Sequence, residues 1–163
     1  MSKSLTELEA VLRQMLIEQR RLLEHLDLQQ AAMKKFDVKA MTSSAHQQEA
    51  SRTRLQSLDA QRRTLATRLA AELRIPGEVT LAGLANLNPA RAAALLQLRR
   101  DMRETIEAIR ERTNVSSRLA AAVIGHLNTT LRIFAGALQK AGLYTKQGTP
   151  RLASRIGVME AIG

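Results

Sequence analysis

The chain has 163 residues, 45% of them hydrophobic but only 2% aromatic, with no cysteine and a formal net charge of +10. One domain packed by leucine, alanine and methionine is therefore expected, with neither a disulfide framework nor a thiolate metal site. The charge permits nucleic acid, an anionic membrane surface or an acidic protein as partner and does not choose among them.

The opening "MSKSLTELEAVLRQ" carries Glu7 and Glu9 and lacks the apolar core of a signal peptide. Leu5, Leu8, Leu12, Met15, Leu22, Leu26, Met33 and Phe36 then recur at alternating three- and four-residue spacing, with Gln19 and Gln29 in the gaps. That stripe predicts a first long helix from Leu5 to Phe36 that needs a partner helix, widened by Leu16 and Leu23. Asp37 either caps a second helix or lies within a continuous one. The run 42–54 is almost devoid of large apolar residues and reads as the exposed or tapering end of a helical hairpin. The stripe returns at Leu55, Leu58, Leu65, Leu69 and Leu73, and "RIPGE" ends that helix, since Ile75 precedes a proline and Gly77 supplies a turn.

"VTLAGLANLNPA" reads as a short amphipathic helix whose Val79, Leu81, Leu84 and Leu87 cover an end of the bundle. Asn88 has the character of an N-cap with Pro89 at the first helical position. A last long pattern runs through Leu95, Met102, Ile106, Ile109, Ala120, Val123, Leu127, Leu131, Phe134 and Leu138, weakened at Thr113, Asn114, Ser116 and Ser117, with Gly142 as its natural stop. The expected fold is all-α: an elongated, antiparallel, coiled-coil-like helical hairpin or bundle of three long helices plus one short helix. Residues 1–141 form the helical domain and 142–163 a flexible C-terminal tail.

Little in the chain suggests catalysis. His25, His46 and His126 are not spaced as metal ligands on one helix face, the eight glycines form no phosphate loop, and no Ser–His–acid set stands out. No catalytic residue, metal or cofactor is assigned. Arg52, Arg54, Arg62, Arg63, Arg68 and Arg74 make the second helix basic, yet they occupy several faces and no aromatic platform accompanies them. Nucleic acid is disfavoured, and the longest uncharged helical run is too short to span a bilayer.

The last helix is more informative. "SRLAAAVIGHLNTTLRIFAGALQKAGLY" sets a narrow stripe of Leu119, Val123, Leu127, Leu131, Phe134 and Leu138 among small residues. Spacing alone favours ordinary core over an incompletely covered face that receives a partner helix, although both can hold at different parts of one helix. Tyr144, the single tyrosine, follows this helix in "GLYTKQG".

The order of these features resembles the FlgN family of flagellar export chaperones. "FDVKAM" with the following polar run, "RLQSLDAQRRTLATRLA", "VTLAGLANLNPARAAALLQLRRDMRETIEAI", "RTNVSSRLAAAVIGHLNTTLRIFAGAL" and "GLYTKQG" are similar to successive parts of that family, over nearly the whole chain. The resemblance implies a cytoplasmic, non-enzymatic chaperone. Its clients would be the hook–filament junction proteins FlgK and FlgL, held by their helical C-terminal regions and delivered to the export-gate protein FlhA. By motif, Leu143, Tyr144 and Gly148 would dock on the gate. The strong positive charge departs from the acidic character common among export chaperones. The apolar tail cluster of Ile156, Val158, Met159 and Ile162 has no family role, and covering the empty client groove is one hypothesis for it. A homodimer is left open. The alternative reading is a basic coiled-coil protein that binds nucleic acid or scaffolds an assembly.

Overall fold

A computed structural model describes residues 3–75, 77 and 79–142, with backbone alone for 138–142. The described chain is four helices: α1 Lys3–Lys34, α2 Val38–Leu73, α3 Leu81–Leu87 and α4 Pro89–Gly142. All three long helices and the short one expected from the hydrophobic pattern are present. Residues Met1–Ala120 pack as one compact unit, and a second begins at Ala121, inside α4.

Cross-links between side chains fix the directions within the first unit. Ser4 bonds to Glu72, Glu7 pairs with Arg68, and Glu18 pairs with Arg54, so α2 runs antiparallel to α1. Glu9 pairs with Arg91, Asp27 with Arg112, and Gln30 bonds to Ser116, so α4 runs parallel to α1. α3 lies at the end where α1 begins, with Leu84 and Ala85 in the same core as Leu5, Leu8 and Leu95.

The turns explain why these helices stop where they do. Phe36 takes a left-handed φ of 53°. The Asp37 amide bonds back to the Ala32 carbonyl at 3.0 Å and the Phe36 amide to Met33 at 3.2 Å. That is a Schellman closure with phenylalanine where glycine is usual. The next residue starts α2: the Asp37 carboxylate accepts the Ala40 amide at 2.9 Å, which resolves the two readings of Asp37 in favour of the cap. Phe36 is therefore off the α1 stripe, half out in solvent and not in the core. α2 ends the same way, with Arg74 at φ 53° and the Ile75 amide on the Ala70 carbonyl, before Gly77 turns the chain at φ 96°.

The core has two characters. At the α3 end it is leucine-rich: Leu5, Leu8, Leu12, Met15, Leu16, Leu69, Leu84, Leu95 and Leu98 are buried together. Towards the other end it turns polar. Gln30 donates to the Arg112 carbonyl at 3.0 Å and to Ser116 Oγ at 3.2 Å, and Gln48 donates to the His25 carbonyl at 3.4 Å. Ser44, Gln48 and Ser51 are all buried. The polar run 42–54 is exposed over most of its length, as expected, but Ser44, Gln48 and Ser51 are buried, and Gln48 reaches the α1 backbone.

Two expectations at α3 change. Leu84 is 1% exposed, but Leu87 is 57% exposed and covers nothing. A seven-residue helix has only two turns, and the turn face carrying Leu81 and Leu84 takes the core contact. Asn88 precedes Pro89 as expected, and its carbonyl accepts the Arg91 amide at 2.9 Å. Its side chain, however, donates to the Leu84 carbonyl at 3.2 Å, closing α3 instead of opening α4. Burial predicts that Leu84→Ala lowers unfolding free energy by about 2–5 kcal/mol while Leu87→Ala stays within about 0.5 kcal/mol. Urea titration of the two variants would measure both, and equal losses would contradict this packing.

Candidate partner-binding surface

From Ala121 onward α4 has its own chemistry. Leu127 is 51% exposed, Leu131 65% and Phe134 64%. Ile124 is exposed as well, and Val123 is half-buried. At about 100° per residue Ile124, Leu127, Leu131 and Phe134 fall on one face, and position 138 continues the same line. Among the described residues these side chains are therefore not core, against the reading that spacing alone favours. A contiguous uncovered apolar stripe marks an interaction surface more often than a free surface.

Not every expected residue joins the stripe. Leu119 belongs to the first unit, is half-buried, and sits about 80° round the helix from Leu127. The Leu138 side chain and residues Leu143, Tyr144 and Gly148 lie outside the described residues, as does the apolar cluster 156–162. Ile124 is the residue the hydrophobic pattern should have supplied. Ile124 stands about 60° round the helix from Leu127 on one side and Val123 about 40° on the other, so both border the same face. Ile133 is exposed too, but it points to the opposite side of the helix.

The rest of this surface is small and free of negative charge. From Arg112 to Gly142 the sequence has no Asp or Glu, while Arg118 and Arg132 flank the stripe. A Cβ built on Gly125 or Gly136 would meet no atom within 4 Å. Neither glycine is required by packing within the chain, so the helix backbone there is open to close approach.

Charge is handled differently inside the first unit. Glu18 is nearly closed to solvent yet ionised. Burial alone would push its carboxyl up. The neighbouring Ser51 hydroxyl and the guanidinium groups of Arg54 and Arg21 more than offset that, and its pKa lies below the ordinary carboxylate value. Arg54 Nη1 reaches Glu18 Oε1 at 2.8 Å across the helix pair, and Arg21 Nη1 reaches Oε2 at 3.1 Å. Ser51 Oγ sits close enough to favour the anion but falls short of full hydrogen-bond geometry. Asp59 is likewise held below its ordinary value, chiefly by the Arg62 hydrogen bond at 2.8 Å, which with Arg63 outweighs partial burial. Four of the six arginines that made α2 look basic are therefore engaged within the chain: Arg54, Arg62, Arg63 and Arg68.

Among the described residues no three His, Asp or Glu side chains gather as metal ligands would. No described helix is long and apolar enough to cross a membrane. The chain is all-α, and its last helix carries an exposed amphipathic face. The chain belongs to the FlgN family: it matches the family described as FlgN protein over residues 1–151. Membership carries that family's general role, a flagellar chaperone. Comparison with curated proteins and with solved structures gives no match.

The Glu18 cluster makes a pH prediction. A carboxylate whose pKa is depressed by folding contributes stability that is fully present above its unfolded pKa and lost as pH falls through the folded one. Glu18→Gln should lower the urea midpoint at neutral pH, and the gap to the parent chain should close as the medium is acidified below the ordinary carboxylate range. A gap independent of pH would mean that the ion pairs contribute nothing.

Proposed function

We propose that this chain is a cytoplasmic export chaperone that binds the helical C-terminal regions of the hook–filament junction proteins FlgK and FlgL, keeps them from assembling early, and delivers them to the export-gate protein FlhA. One observation carries the reading: in a chain of the FlgN family, the apolar face of α4 at Ile124, Leu127, Leu131 and Phe134 is uncovered. An amphipathic client helix laid along this face, with Val123 and Leu138 at its margins and Leu119 at its inner end, would bury apolar area. Each Å² removed from water contributes roughly 25 cal/mol before ordering costs. The open backbone at Gly125 lets such a helix come close. Binding, not catalysis, is the action.

Gate docking falls to Leu143, Tyr144 and Gly148. A lone aromatic just beyond a client-holding helix is suited to insert into a partner's pocket, since aromatic anchors dominate many interfaces. Separating Tyr144 from the stripe in sequence lets one chaperone hold its client and its gate at once.

Titration calorimetry with the C-terminal helical segment of the same organism's FlgK, against a random DNA duplex, tests the first step. Saturable binding to the segment that changes little with salt is expected, and Leu127→Asp should abolish it while leaving the helical circular dichroism intact, because Leu127 is exposed. Steeply salt-dependent binding to the duplex with silence from the segment would reject the reading. For the second step, Tyr144→Ala should spare the client and weaken binding to the cytoplasmic domain of FlhA. Loss of the client instead would move Tyr144 into the client site.

A further inference from the structure

The first unit carries a second unoccupied surface that shares no residue with the α4 stripe. α2 and α4 both pack on α1, and between them runs a groove of about 400 Å³. Met15 and Gln19 of α1 form its floor, Ala66 stands on the α2 side, Met102 and Ile106 on the α4 side, and Leu81 at the α3 end. A shallower depression of about 320 Å³ continues it over α4, sharing Leu81, Met102 and Ile106 and adding Arg99, Arg103 and Arg110.

Three features set this groove apart from ordinary surface. Its walls are apolar and partly open: Leu81 and Met102 are half-buried, and Ile106 is exposed. Its floor holds an unmet polar group, since the Gln19 side chain is buried and its Oε1 has no hydrogen-bond partner. An acceptor left in that state is costly, so this site is not optimised for the chain's own stability. Finally, its rim is cationic and unspent. Arg99, Arg103 and Arg110 stand at i, i+4 and i+11 on one edge of α4, about 16 Å from end to end. None of them meets a carboxylate among the described residues, unlike the arginines of α2. Glu107 lies beside them, and Asp59 on the far side is already held by Arg62 and Arg63.

We propose that this groove is a second docking site, and that its partner is an amphipathic protein helix with an apolar face and a row of carboxylates along one edge. The apolar walls take the hydrophobic face. The three guanidiniums, presented over about three helical turns, take the carboxylates. A nucleic acid backbone could use the arginines but would leave Leu81, Met102 and Ile106 against a polar ligand, so charge and apolar surface together favour the helix.

Fluorescence anisotropy on the full chain tests this with a labelled synthetic peptide about five turns long. It has a leucine face, glutamates along one edge and glutamines elsewhere. A version with lysines for the glutamates and a DNA duplex serve as controls. The glutamate peptide should bind, and Arg103→Glu with Arg110→Glu should weaken it about tenfold, as two reversed surface charges would. Ile106→Gln should weaken it as well, and Leu131→Asp on the stripe should leave it unchanged. All four positions are exposed, and circular dichroism would check that folding survives. The proposal is overturned if the glutamate peptide does not bind, if the lysine peptide binds equally, or if the arginine reversals have no effect. Loss of binding in Leu131→Asp would assign the peptide to the stripe, and tighter binding of the duplex would make the rim a phosphate site.

Discussion

Helix length is the constraint from which the rest follows. α4 has 54 residues, whereas α1 has 32 and α2 has 36. At about 1.5 Å per residue no neighbour of that length can cover α4 throughout. Its first half is committed to α1, with Leu95 and Leu98 in the leucine core and Ser116 on Gln30, whereas its second half carries Ile124, Leu127, Leu131 and Phe134 exposed. The uncovered stripe is thus not a packing defect at one residue. The hydrophobic repeat continues beyond Ala120, at Ile124, Leu127, Leu131 and Phe134, and stays exposed there.

The packed half is built to fix that arrangement. Leucines at the α3 end supply most of the apolar burial, and such contacts are tolerant of sliding. The polar end is less tolerant. Gln30 must find both the Arg112 carbonyl and Ser116 Oγ, and Gln48 must find the His25 carbonyl, since a buried amide without a partner is costly. Glu18 adds a charged cross-link between α1 and α2 that is satisfied in one register only. Together these contacts set the register of α1, α2 and the first part of α4 within the unit that ends at Ala120.

Much of this was legible in the sequence because leucine spacing reports a helix face directly. The stripe Leu5–Met33, the stop at "RIPGE" and the short helix before Pro89 all followed from periodicity and from proline and glycine chemistry. The failures share a cause: local pattern does not reveal what a residue touches across the bundle. Phe36 sits three residues after Met33 and so read as stripe, yet the backbone had already turned left-handed to close α1. The run 42–54 read as an exposed or tapering hairpin end because it lacks large apolar residues, and most of it is exposed, but the pattern did not show that Ser44, Gln48 and Ser51 are buried. Leu87 read as core from composition, but a two-turn helix has one face to bury. In the candidate surface, Leu127, Leu131 and Phe134 were visible as a stripe, though spacing could not tell covered from bare. Ile124 was missed because its neighbour Val123 already filled that turn of the same face.

The central claim is that α4 beyond Ala120 is a bare helix face in the free chain and a covered one in the client complex. Hydrogen exchange along α4, read with and without the FlgK C-terminal segment, tests it most directly. The account predicts that amides of residues 121–137 exchange much faster than those of 92–116 in the free protein, and that client binding protects the former while hardly changing the latter. Equal protection of both stretches in the free chain, or client protection confined to the bundle half, would contradict it.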